Sequence, residues 1–160
     1  MLAEILKSRH IILASSSPRR QELIKGLGLD FEIRIKSVKE EYPNRLRHFE
    51  ISDYLAQLKS MPFVEELKPN DILITSDTIV WFKDKALGKP KDNNEAFEML
   101  KTLSGHTHEV ITSVCFKSKF PMNVLPEIGS IICASDFSLN EGLAIVFVPA
   151  ILRLTSGEIL

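Results

Sequence analysis

The hexapeptide Ser15-Ser16-Ser17-Pro18-Arg19-Arg20 gathers three hydroxyls and two guanidinium groups within six positions. Those groups suit an anion: a helix N-terminus offers unpaired N–H donors and a partial positive charge, and arginine pairs bidentately with phosphate oxygens. The same residues also suit an ordinary capped helix with solvated arginines. Asp77 stands between two apolar runs, Ile72-Leu73-Ile74 and Ile79-Val80-Trp81-Phe82. That setting predicts a carboxylate at a sheet edge or in a cleft rather than on a freely solvated loop. There it can act as a general base toward water, ligate a divalent cation, or fold back as a turn-forming Asp. Thr78 beside it can bond a ligand or simply fit a strand.

Other groups have a plausible reach. In Gly88-Lys89-Pro90 the glycine permits close backbone approach and the proline stiffens the chain, so Lys89 can be aimed at a phosphate or can sit on a surface turn. Lys59 lies at the margin of a helical apolar face, either snorkelling over the core or pointing into a cleft. Glu40 and Glu41 can chelate a metal or form a solvated acidic pair. His106 and His108 are two apart, yet no third ligand at useful spacing accompanies them. Cys115 and Cys133 are too few for a disulfide scaffold and read as reduced, buried thiols. There is no GxxxxGK[ST] loop and no GxGxxG fingerprint, which argues against the common nucleotide motors and dinucleotide enzymes.

The elements that must position these groups alternate. Ile11-Ile12-Leu13-Ala14 reads as a buried strand closed by the serines, with Pro18 in the first turn of a helix that Gly26 and Gly28 end. A second strand is predicted over 31–35 and a polar loop over 36–44. Ile51, Tyr54, Leu55 and Leu58 recur at helical spacing until Pro62 interrupts. Two strand-like runs then flank residues 75–78, and Lys83-Asp84-Lys85 forms a hairpin tip. Asn93 or Asn94 caps a helix carrying Ala96, Leu100 and Leu103, Gly105 stops it, and residues 108–116 form another strand. The economical architecture is α/β, a mixed sheet with helices on its faces.

At 160 residues the chain has the size of a single domain, 1–160, able to bury a core without metal or disulfide. Its 20 basic and 21 acidic residues leave a net charge of −1. No overall field therefore grips a nucleic-acid backbone, and any anionic ligand must be held by local charge. The aromatic residues show no arrangement for stacking nucleic acid. The start of the chain mixes acid and base before its apolar stretch, unlike a secretory signal, and the longest apolar run, over 143–152, is too short to span a bilayer. A cytoplasmic, membrane-free protein is the expectation. After residue 120 the only charged side chains are Glu127, Asp136, Glu141, Arg153 and Glu158. Periodicity there is poor and Pro121, Pro126 and Pro149 interrupt it, so the apolar segments fit strands or core helix equally.

Taken together, LASSSPRRQELI at 13–24, YLAQLKS at 54–60, ITSDTIVW at 74–81 and LGKPKDNNEAFEMLKTLSGHTHEVITSV at 87–114 resemble the Maf family in order and approximate spacing. The resemblance covers residues 1–116; 117–160 form an atypical tail. It implies a twisted mixed sheet flanked by helices, related to the inosine-triphosphate pyrophosphatases, with nucleotide bound in a cleft between two lobes. It also implies hydrolysis of a nucleoside triphosphate between its α and β phosphates. In that reading Asp77 is the proton acceptor and a metal ligand, and Glu40 helps hold Mg2+ or Mn2+. Ser15, Arg19, Arg20, Lys59, Thr78 and Lys89 bind the substrate. The SPRR and SDT forms look like the branch acting on dTTP and UTP; the branch acting on 7-methyl-GTP usually has an aromatic residue at the position of Arg19 and Gln at that of Thr78. Family members are commonly homodimers.

Two departures from the pattern stand out. Lys39-Glu40 replaces the usual acidic pair after the second strand, with Glu41 available to compensate. No DKAGAYGIQ-like block and no later GLP segment follows Phe116, so the second lobe is expected to be incomplete or altered. If the tail leaves the sheet uncovered, exposed apolar surface should promote association. The rival reading is a nucleotide-binding homologue that is catalytically impaired.

Overall fold

An unbroken apolar run needs cover on both faces, and Ile11, Ile12 and Leu13 have it: all three are buried in β1 (His10–Leu13). The computed structural model describes residues 4 and 6–119 and the backbone of residues 137–140 and 143–155. After β1 come α1 (Pro18–Gly26), β2 (Glu32–Ile33), α2 (Phe49–Ser60), a 3-10 segment (Met61–Glu66) and β3 (Asp71–Phe82). β4 (Lys85–Leu87), α3 (Asn93–Leu103), β5 (Thr107–Ser118), β6 (Phe137–Asn140) and β7 (Leu143–Thr155) follow. Among the described residues the strands form one mixed sheet in the order β2-β1-β3-β5-β7-β6, with β4 on β3. β1 runs parallel to β2 and β3; β3 is antiparallel to β4 and β5, and β7 to β5 and β6.

The two faces of the sheet hold separate apolar clusters. Ile11, Leu13, Ile72 and Ile74 pack with Ile24 of α1 on one face. On the other, Ile12 and Leu73 meet Phe63 and Leu67, while Ile79 and Ile111 meet Ile51 and Leu55 of α2. Fully burying each aliphatic side chain contributes about 1.5–3 kcal/mol. α2 is pinned to the sheet at its start, where the His48 ring bonds Glu109 of β5 and stands edge-on to Trp81. In its middle, the Thr75 hydroxyl donates to the Ala56 carbonyl at 2.7 Å and Ser52 bonds Ser113 at 2.7 Å. Cys115 is a buried free thiol, pushed up by burial. α3 buries none of its residues, and Phe97 and Leu100 are exposed.

Several local expectations are corrected. Residues 71–82 form a single strand rather than two runs around a turn, because the hydroxyls of Thr75 and Thr78 and the carboxylate of Asp77 find partners outside the strand. The second strand contracts to Glu32–Ile33, since it pairs only with the end of β1. Pro62 ends α2 but starts the 3-10 segment, where a missing N–H costs nothing. In the hairpin, Lys83 and Asp84 take φ of 47° and 60°, the primed-turn conformation that matches strand twist, and Lys85 already belongs to β4. Pro149 does not break β7: it lies opposite Ser113, and β6 covers only residues 143–146 of the other side. A residue without an N–H is tolerated on an edge that has no strand partner among the described residues. The expected second lobe and Cys133 fall wholly or partly outside the described residues.

The cap of α3 is Asp92, not Asn93 or Asn94. Its Oδ1 accepts the Glu95 N–H at 2.8 Å, and Glu95 accepts the Lys91 N–H at 2.6 Å. An ionised cap also complements the helix dipole, which an asparagine does not. Asp92→Ala is expected to cost about 1 kcal/mol of local stability, read as roughly fivefold faster amide hydrogen exchange in the first turn of α3. Unchanged exchange there would assign the cap elsewhere.

Candidate active site

The site arises where the sheet divides. One edge of β3 pairs with β1 over residues 71–74 and with β4 over residues 80–82, while its other edge is taken by β5. Between Ile74 and Val80 that first edge has no strand partner among the described residues, because the chain leaves β1 after Ala14 and turns into α1. A cavity of about 400 Å³ opens there, lined by the turn before α1, the loop after β2, the end of α2 and the middle of β3.

Arg20 closes the gap in hydrogen bonding. Its Nη1 donates to the Ser76 carbonyl at 3.0 Å and its Nη2 to the Thr78 hydroxyl at 3.1 Å. Thr78 also bonds Thr112 of β5 at 3.0 Å. Two of the five guanidinium donors are thus committed to β3, and three remain for oxygens of a ligand in the cleft. At the turn itself, Ser15 is buried and its Oγ accepts the Ser17 N–H at 3.2 Å. Ser17, the residue at the cap position of α1, makes no side-chain capping bond, and the first turn carries no acidic side chain. These are the features of an anion-accepting helix start.

Asp77 points to the opposite face, toward α2. Lys59 Nζ lies 2.5 Å from its Oδ1 and 3.3 Å from Glu40 Oε1, so one ammonium stands between two carboxylates. Lys89 Nζ is 3.8 Å from the same Glu40 oxygen and largely exposed. Burial pushes the Asp77 carboxyl above the ordinary carboxylate range, and the hydrogen bond and charge of Lys59 pull it back only in part. Asp77 sits inside a central strand, at the stretch where one neighbouring strand is missing among the described residues, and lines the cleft there.

Ser15, Arg20, Glu40, Lys59, Asp77, Thr78 and Lys89 all line this one cavity. Arg19 does not: it is exposed, one residue away on a helix that turns about 100° per residue, so it cannot share the direction of Arg20. Glu41 does not compensate for Lys39 either, since its carboxylate turns to the Lys39 ammonium at 2.7 Å, both well exposed. His106 lies before β5 and bonds the Ser104 carbonyl, away from the cleft.

Ser16, Ser17, Ser37 and Lys36 are lining residues that the sequence did not single out as ligands one by one. Lys36 donates to the Pro62 carbonyl at 2.8 Å and pairs with Glu66. No motif flags it; only its place immediately after a β2-like alternation hints at a rim position. With Arg20, Lys36, Lys59 and Lys89 against Glu40 and Asp77, cations outnumber carboxylates around the cavity. Among the described residues no group of three or more His, Cys, Asp or Glu is placed to hold a metal ion, and no helix is long and apolar enough to cross a membrane.

The family model for Maf-like proteins matches residues 10–128. A dTTP/UTP pyrophosphatase of Flavobacterium johnsoniae is 57% identical over 128 residues, 80% of this chain and 66% of that protein. The dTTP/UTP pyrophosphatase of Flavobacterium psychrophilum is 53% identical over the same shares. That of Parabacteroides distasonis is 43% identical over 141 residues, 88% of this chain and 72% of the relative. The chain thus spans just under two thirds of the length of the two Flavobacterium relatives.

Proposed function

This chain belongs to the Maf family, and from that premise we propose that it hydrolyses dTTP and UTP to the nucleoside monophosphate and pyrophosphate. The observation that carries the reading is the meeting of Asp77, a buried carboxylate of raised proton affinity, with Arg20, Lys36, Lys59 and Lys89 around one cleft. A triphosphate brings several negative charges; the cations and the start of α1 offset them at fixed positions, which lowers the reorganisation needed as charge moves in the transition state. Ser15 and Arg20 hold phosphate oxygens on the α1 side, Lys59 and Lys89 on the α2 side. Thr78, bonded to Arg20, lines the cleft beside Asp77 and carries the preference for the dTTP and UTP branch.

Water attacks the α phosphorus and gives its proton to Asp77. The bond from that phosphorus to the α,β-bridging oxygen breaks, and pyrophosphate departs with the electron pair. The donor set fits a hard divalent cation: Glu40 and Asp77 already flank a positive charge, and Mg2+ commonly takes one or two carboxylates beside substrate phosphates and water. Glu40 and Asp77 would hold Mg2+ or Mn2+, which when bound screens the phosphates and favours departure of pyrophosphate. The reading places the reaction in the cytoplasm, where its substrates are.

The test is product identity. Purified protein incubated with dTTP, UTP or 7-methyl-GTP and Mg2+ or Mn2+ is expected to release pyrophosphate and the monophosphate from the first two, with 7-methyl-GTP the poorest substrate. Release of inorganic phosphate would assign a different cleavage, and saturable nucleotide binding without any product would assign a silent homologue.

A further inference from the structure

Lys59 occupies the place that a divalent cation needs. Its ammonium is the charge lying between Asp77 of β3 and Glu40 of the loop after β2, and it takes Asp77 Oδ1 at 2.5 Å. Lys59 is mostly buried and Asp77 more so, and Lys89, the other cation near Glu40, is too exposed and too distant to replace it. An oxygen holding Mg2+ at about 2.0–2.1 Å cannot keep an ammonium at hydrogen-bond distance on the same lone-pair side, because two cations would then lie nearly in contact. Leaving the ammonium in place and adding the dication elsewhere is disfavoured, since among the described residues no other pair of carboxylates lines the cleft.

We propose that Lys59 is a positioning residue that exchanges between two partners: it neutralises Glu40 and Asp77 in the free protein, and moves to the phosphates when a divalent cation takes its place. The inference rests on the pyrophosphatase reading and adds an order to it. The lysine's long stem, at the end of α2, pivots from the carboxylates on one wall to the middle of the cavity without moving the helix. Cation and triphosphate then promote each other's binding, because each removes a cost the other would bear: the cation frees the lysine, and the phosphates give the freed ammonium a partner. The free protein then holds a bare dication only weakly, and the carboxylates never face each other uncompensated.

Two measurements on the full chain test this without reference to turnover. In the wild-type protein, Lys59 is expected to be protected from an amine-acetylating reagent, and Mg2+ without nucleotide should raise its labelling several-fold, read by peptide mass spectrometry against Lys101 as an unaffected surface lysine. Lys59→Met is expected to bind Mn2+ at least about tenfold more tightly than wild type in the absence of nucleotide, followed by the signal of free Mn2+ in electron paramagnetic resonance. Labelling that stays constant while Mg2+ binds would overturn the exchange, as would Mn2+ affinity in Lys59→Met equal to or weaker than wild type, or no Mn2+ binding in either protein. Pyrophosphate release alongside any of those results would leave the proposed reaction standing and remove only the exchange. Exchange in a protein that releases no pyrophosphate would do the reverse.

Discussion

Asp77→Asn is expected to lower turnover on dTTP by about 100-fold or more while the protein stays folded. The amide keeps the size of the carboxyl and can still accept a bond from Lys59 at the position of Oδ1, so the packing between β3 and α2 survives. What it loses is the capacity to take a proton. The folded-state pKa of Asp77 is raised by burial, so the folded protein binds that proton more tightly than the unfolded chain does. The contribution of this group to stability is therefore fully present below its unfolded pKa and is lost as pH rises through the folded value. At neutral pH the charged side chain opposes folding, and the amide does not carry that penalty. Thermal melting at pH 7 should accordingly show little loss or a small gain, offset by the weaker hold on Lys59.

The same shift makes a statement about rate. Only the ionised carboxylate accepts a proton, so kcat/KM in the wild type should climb with pH along a limb lying above the ordinary Asp range, and Asp77→Asn should lack that limb. A folded Asp77→Asn protein with near-normal turnover would take Asp77 out of the centre of the reaction. A wild-type limb at the ordinary Asp value would show that substrate or cation relieves the effect of burial before the chemical step.

The fold was legible wherever a signal is local. Ile11-Ile12-Leu13 followed by serines and Pro18 marks a buried strand and a helix start, because continuous apolar residues and an N-terminal proline each have one natural place. β3 was not legible as one strand, since Thr75, Asp77 and Thr78 resemble a turn until Ala56, Lys59, Arg20 and Thr112 supply partners from 18 or more residues away. The cationic lining of the cleft was legible through its residue types, whereas the choice between Arg19 and Arg20 depends on the rotational phase of α1. Lys36 and the buried Lys117, whose ammonium meets the Met61 sulfur at 3.4 Å, carry no sequence mark at all. Lysines read as surface residues, and nothing nearby in the chain says otherwise.

Arg20 gives the second large effect, and comparing two substitutions separates its charge from its shape. Arg20→Leu removes both bonds to β3 and leaves the Ser76 carbonyl, in a buried residue, without its donor, at a cost of about 1–3 kcal/mol. It also removes a cation from the cleft, so kcat/KM on dTTP should fall about 10- to 100-fold, with a lower melting temperature. Arg20→Lys restores the charge but offers a point donor where a fork spans the Ser76 carbonyl and the Thr78 hydroxyl. If the cleft needed only positive charge, the lysine variant would match wild type. Because the guanidinium also fixes the unpaired edge of β3 and the orientation of Thr78 beside Asp77, Arg20→Lys is expected to recover less than half of the lost transition-state stabilisation, measured as the logarithm of kcat/KM. Recovery to wild-type kcat/KM would reduce Arg20 to a counter-charge and leave the gap in the sheet without a part in catalysis.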